Sequence, residues 1–212
     1  MGFADLFARR PKVDQNGGDG LVHPSRALDR FLAGLRGRPQ PILLDLGPVV
    51  GSNVTFFAEQ FGCKILVEDL TKDIDRHVAE GKLDALPAFV DVRFPQETET
   101  IDGILCWDTV DYLDRPAAER LARQLTRVLG PEGVLLALFS TAAPRAPAGP
   151  TYTKHVVVDR EHLQYRPYAG ARAKQPPLVN RDIQRLFEPL RITENFLLKT
   201  NLREVLFRKP VR

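Results

Sequence analysis

Residues 41–70 read as a strand, a glycine turn, a helix and a second strand, and few folds accommodate that order. Ile42, Leu43 and Leu44 form an unbroken apolar run, as a strand covered on both faces of a parallel sheet requires. Gly47 and Gly51 bracket a tight turn. Val54, Phe57, Ala58 and Phe61 then recur at i, i+3, i+4 and i+7, which predicts a helix with an apolar stripe. Gly62 is placed to end that helix in a left-handed conformation. A second apolar strand follows and finishes on two carboxylates, Glu68 and Asp69. A glycine turn over a helix N-terminus, with acid at the tip of the next strand, is the layout of a nucleotide or nucleoside site.

The rest of the chain extends this unit. Before it, Ala27, Leu28, Phe31, Leu32 and Leu35 predict a helix starting at Ser25, while residues 1–24 read as a separate flexible tail. After Asp69, a short helix is expected over Lys72–Lys82, with Ile74 and Val78 inward, then a short third strand over Phe89–Val92. Ile101–Trp107 reads as a fourth strand ending at Asp108. Asp114 is a plausible N-cap, and Leu121, Leu125, Val128 and Leu129 line the helix it opens. Val134–Phe139 is a fifth strand. Strands alternating with helices in this way predict a doubly wound α/β domain. Near the end, Asn180 opens a helix with Ile183, Leu186, Phe187 and Leu190 inward. The runs Ile192–Leu198 and Leu202–Phe207 are separated so briefly that only an antiparallel pair is possible.

Composition narrows the class. At 212 residues and 43% hydrophobic, the chain is long and apolar enough for one folded domain. No apolar run could span a membrane, and the N-terminus has no signal-peptide core. Cys63 and Cys106 stand alone in separate strand regions, which fits a reducing compartment; a cytoplasmic protein is the expectation. A net charge of +3 argues against duplex nucleic acid as a partner. No His, Cys, Asp or Glu cluster has metal-ligand spacing, and no Gly-x-Ser-x-Gly elbow or Walker loop is present.

Asp45-x-Gly47-x-Val49-x-Gly51 resembles the Asp-x-Gly-x-Gly-x-Gly first motif of class I S-adenosylmethionine-dependent methyltransferases, with Val49 at the middle glycine. Asp69-Leu70-Thr71 resembles the acidic tip of that family's second strand. The resemblance runs over about residues 25–212. It implies a mostly parallel seven-stranded sheet with a C-terminal antiparallel hairpin, and S-adenosylmethionine as cofactor. Asp45 would bond the turn and the methionine amino group, and Gly47 and Gly51 would let backbone approach the ligand or the following helix. Asp69 would hold the ribose, leaving Glu68 solvated, since strand parity lets only one of them face the groove. Asp91 would lie near the adenine amino group, and Trp107-Asp108 would wall the adenine and the methyl-transfer channel. For Trp107 a plain core role is equally compatible with the sequence.

Residues 141–179 are too many for a simple connection and follow the fifth strand, so they read as a substrate lid. Tyr152, Tyr165 and Tyr168 there stand among basic side chains, pointing to an anionic small molecule or acidic protein surface as acceptor. Val156–Val158 is expected to add a short strand. His155 and Tyr165 are the candidates for a general base or acceptor-orienting group. Two readings follow: a methyltransferase that works chiefly by proximity, or a methyltransferase-like binding or scaffold protein without turnover. A dinucleotide-dependent oxidoreductase ranks behind both, because the terminal hairpin and glycine spacing disfavour it.

Overall fold

The computed structural model describes residues 20–143 and 149–211. In chain order the elements are β1 (Val22–Pro24), α1 (Arg26–Leu35), β2 (Ile42–Asp45), α2 (Gly51–Phe61), β3 (Lys64–Val67) and α3 (Leu70–Ala79). Then come α4 (Leu86–Val92), β4 (Ile101–Trp107), α5 (Arg115–Val128), β5 (Leu129–Ser140) and β6 (Thr151–Val157). The chain closes with β7 (His162–Ala169), α6 (Asn180–Leu186), β8 (Arg191–Leu197) and β9 (Leu202–Arg208).

The central sheet runs β3-β2-β4-β5-β9-β8. Its first four strands are parallel, and β9 pairs antiparallel with both β5 and β8. The expected α/β architecture with its terminal hairpin is therefore present. Alternation along the strands divides the interior in two. Leu44, Cys106, Leu135 and Ala137 join the helices α3, α4, α5 and α6 on one face, whereas Leu43, Leu105, Leu136 and Leu138 join α1 and α2 on the other. Each such Leu or Phe taken out of water contributes about 1.5–3 kcal/mol. Helix α1 shows the logic in miniature. Ser25 accepts from Leu28 N–H at 3.2 Å to cap it, and Ala27, Leu28, Phe31, Leu32 and Leu35 are all buried against β5 and β9.

Three expectations need correction. Phe89–Val92 is the end of α4, not a strand, so the sheet has six strands among the described residues. Leu86, Val90 and Phe94 recur every four residues and are buried as one face, while Val92 is 79% exposed. In α2 the inward residues are Asn53 and Phe57, and Val54 is turned to solvent. Finally, the N-terminal segment does not stay separate up to residue 24, because β1 pairs with β7. Residues 1–19, where the rest of the expected tail falls, lie outside the described residues.

The segment expected as a lid is itself folded. β6 and β7 form a hairpin, and with β1 they make a second, three-stranded antiparallel sheet. Its register sets His155 opposite Tyr165. This small sheet is fastened to residues just beyond the carboxyl ends of the central strands. Asn53, in the first turn of α2, donates to His155 O and accepts from Val157 N–H, both at 2.8 Å. Thr71 Oγ1 lies 3.0 Å from Tyr168 OH, and Tyr152 OH donates to Asp75 Oδ1 at 2.6 Å. Tyr152 is fully buried in one half of the core and Leu163 in the other. The second sheet is thus a roof over the strand tips rather than a loose flap.

Candidate active site

Asp45 ends β2 and is 4% exposed. Its Oδ1 accepts from Gly47 N–H at 2.9 Å and from Trp107 Nε1–H at 2.7 Å. Burial pushes its carboxyl up to about 6; the two donated bonds oppose the rise, and the charge of Asp69 adds to it. Both strand-tip acids therefore share one neighbourhood. A Cβ on Gly47 would stand 2.9 Å from Trp107 Cδ1, so the group that requires glycine here is the indole of β4. Gly51 has open space where a Cβ would project, so no protein group requires glycine there. Val49 is 63% exposed and its φ is not positive, so it neither fills the groove nor strains the turn. Val50 caps α2 without a side-chain bond, which leaves the first N–H groups of that helix free of a side-chain acceptor.

Trp107 is the centre of the site. It ends β4 with φ +50, a left-handed conformation that costs a bulky residue about 1–3 kcal/mol. Its indole lies flat against the His155 ring, with centroids 5.0 Å apart and planes 4° from parallel. His155 in turn meets Tyr165 edge to face at 5.3 Å. His155 is buried, which lowers its imidazole to about 4 despite Asp108, whose Oδ1 is 3.8 Å from Nε2. It is neutral at neutral pH. Burial pushes the Tyr165 phenol up, and its hydroxyl is buried without a hydrogen-bond partner. A phenol in that state is a poor general base; the roof brings both candidates to the strand tips, and His155, though neutral, is weakly basic.

Beyond Trp107 the chemistry changes. Asp108 is enclosed; burial works to raise its carboxyl, but Lys174 and His155 outweigh that and hold it below the usual range. Lys174 Nζ lies 2.6 Å from Asp108 Oδ2 and 3.1 Å from Asp111 Oδ2. Ser140, at the end of β5, donates to Asp111 through both N–H (2.9 Å) and Oγ (2.7 Å). Tyr112 OH is 3.2 Å from Asp108 Oδ2. This clamp, two carboxylates sharing one ammonium, binds β4 to β5 and to the 170–179 segment.

The remaining predicted positions separate. Asp69 Oδ1 accepts from Thr71 Oγ1 at 2.5 Å, with Lys72 Nζ 3.4 Å from Oδ2. Glu68 is not solvated as expected; Arg93 and Gln96 donate to it at 2.5 and 2.8 Å. Parity does send the two acids to different partners. Asp91 belongs to α4 and pairs with Arg120 at 2.6 Å, so it braces α4 on α5 instead of lying in the third strand expected there. Arg172 and Lys174, counted among the anion-seeking side chains, face Asp114 and the Asp108-Asp111 pair. Sequence reasoning missed Asn53 and Asp111 and did not foresee the partners of Thr71, Tyr168 and Lys174. Asn53 and Thr71 sit within or beside the quoted motifs and could have been flagged as buried polar helix-start residues. No local signal marks Lys174.

No protein-family model matches the chain. It is 29% identical over 132 residues to a sarcosine/dimethylglycine N-methyltransferase of Halorhodospira halochloris, covering 59% of this chain and 46% of that protein. The chain thus spans less than half of that relative. An S-adenosylmethionine-dependent methyltransferase from Clostridium acetobutylicum superposes with TM-score 0.51 at 11% identity, covering 87% of this chain and 89% of that one. A Burkholderia thailandensis 1,6-didemethyltoxoflavin-N1-methyltransferase, solved with its acceptor and S-adenosylhomocysteine, gives 0.50 at 16%, covering 88% and 78%. Together with the strand order and terminal hairpin, these settle the architecture.

The chain has the class I methyltransferase fold.

In that fold the donor set at the strand tips suits S-adenosylmethionine. Asp45 would offer its carboxylate to the ammonium, Asp69 would accept from ribose hydroxyls, and the start of α2, which has no side-chain cap, would suit the ligand carboxylate. When bound, the cofactor would supply an electrophilic sulfonium methyl. The roof of β6 and β7 stands over these groups, with His155 stacked on Trp107.

Proposed function

We propose that this protein is an S-adenosylmethionine-dependent methyltransferase acting on a small-molecule acceptor. The observation that carries the reading is the pair of strand-tip acids, Asp45 on its glycine turn and Asp69 beside it, on a class I frame. The partial kinship with a sarcosine/dimethylglycine N-methyltransferase supports the same activity. An anionic acceptor is the less favoured class, because Arg172 and Lys174 already face carboxylates. Two free, buried cysteines are in keeping with a cytoplasmic location, and no described helix is long and apolar enough to cross a membrane.

Catalysis on this reading is by approximation. The acceptor and the methyl group are aligned, and proximity carries the rate; His155, neutral but weakly basic, serves to support Trp107 at the strand tips. Calorimetric titration with S-adenosylhomocysteine tests the reading. Asp69→Ala should weaken binding at least several-fold, as expected for a charge-assisted bond of about 1.5–3 kcal/mol, while Glu68→Ala should not. Absence of binding to the natural protein would overturn the reading.

One observation favours a second reading, a methyltransferase-like protein without turnover: the indole of Trp107 stands on Gly47 and already occupies Asp45.

A further inference from the structure

Resting on the cofactor site proposed above, we infer that Trp107 is the gate of that site, an internal stand-in that must leave before a ligand can sit. Three independent features of the residue agree. First, its indole Nε1–H occupies Asp45 Oδ1 at 2.7 Å, the acceptor that the methionine ammonium would need. Second, its ring covers Gly47 so closely that even a Cβ would stand 2.9 Å from Cδ1, so ring and ligand compete for one space. Third, its backbone is held at φ +50, in a region that a large side chain leaves readily when its restraints are removed.

Besides its burial in the α1 and α2 half of the core, the ring has two specific restraints. One is a neutral donor to Asp45, and the other is a stack on His155. A ligand ammonium would replace the first, in which only the acceptor is charged, with a bond between two opposite charges. It would also let the backbone of Trp107 relax. The roof need not open as a unit. Tyr152, Val157 and Leu163 are buried in the two halves of the core, so raising the whole second sheet would dismantle both. Rotation of one side chain between Asp45 and His155 is the smaller change. Asn53, which fixes β6 by two bonds, keeps His155 in place while Trp107 moves.

Trp107 is also the only tryptophan in the chain, so its emission reports the step directly. The test is titration with S-adenosylhomocysteine, followed by calorimetry and by Trp107 fluorescence. In the natural protein the emission maximum should move to longer wavelength as the ring leaves its buried stack. Trp107→Gly, which removes the ring and suits the positive φ, should bind at least tenfold more tightly. Trp107→Phe keeps a ring against His155 but cannot donate to Asp45, and should gain two- to fivefold. That variant also serves if Trp107→Gly fails to fold. Binding by the natural protein with unchanged emission, and no gain in whichever variant folds, would overturn the gate and leave the cofactor site standing. Failure of every variant and the natural protein to bind would overturn the cofactor reading and the gate with it.

Discussion

Two buried acids at neighbouring strand tips meet opposite fates. Asp45 has no cation near it; hydrogen bonds from Gly47 and Trp107 are its only described partners, and burial lifts it to about 6. Asp108, in the residue after Trp107, is held low by Lys174 at 2.6 Å and shares that lysine with Asp111. The first site has no described counter-charge, whereas the second has one, shared by two acids. A buried carboxylate without a counter-charge is costly to a fold unless something arrives to use it, whereas an ion pair only ties elements together. On the proposed reading, the difference gives ligand binding to the Asp45 side and structure to the Asp108 side.

If that division holds, the largest loss of stability should come from Lys174→Met. It strands two buried carboxylates and should cost about 3 kcal/mol in urea unfolding. By contrast, Asp45→Asn keeps an acceptor oxygen for Gly47 and Trp107 while relieving the burial of charge. It should leave stability within about 1 kcal/mol, and reduce affinity for S-adenosylhomocysteine at least tenfold. A stability loss at Asp45 as large as that at Lys174 would erase the distinction.

A subtler difference lies in pH. Burial pulls His155 from 6.5 to about 4, so the unfolded chain takes up its proton first, and stability is lost as pH falls from 6.5 to 4. Asp45 acts oppositely: its carboxyl is raised from 3.8 to about 6, so the folded chain binds the proton first and stability is gained as pH falls from 6 to 4. The two largely cancel. His155→Phe should remove only the first contribution. Relative to the natural protein, it should become more stable on acidification from pH 7 to pH 4.5, by on the order of 2 kcal/mol. Urea midpoints at the two values check the sign.

How much of this could be read from the sequence depends on the range of the interaction. The strand-turn-helix at Ile42–Phe61 and the terminal hairpin are local patterns, and they were legible because periodicity alone specifies them. Phe89–Val92 was misread since a short β-branched run looks like a strand until Leu86 and Phe94 are counted with Val90. The roof was legible only as an insertion with Val156–Val158 in a strand; its β1 edge comes from some 140 residues upstream in the Val22–Gln164 pairing. Asp45, Trp107 and His155 could each be nominated, but their union depends on pairings across three segments. Lys174 was counted as a free cation because nothing near it in sequence reveals Asp108 and Asp111.

The most direct measurement is the affinity for S-adenosylhomocysteine as a function of pH from 5 to 7.5. With Asp45 lifted to about 6 in the ligand-free protein, binding an ammonium must displace its proton at lower pH, whereas His155 at about 4 does not titrate in this window. The expected result is affinity that rises up to tenfold per pH unit below 6 and levels off above it, with the rise absent in Asp45→Asn. No binding, or binding that is flat across this range in the natural protein, would contradict the assignment of Asp45 to the ligand.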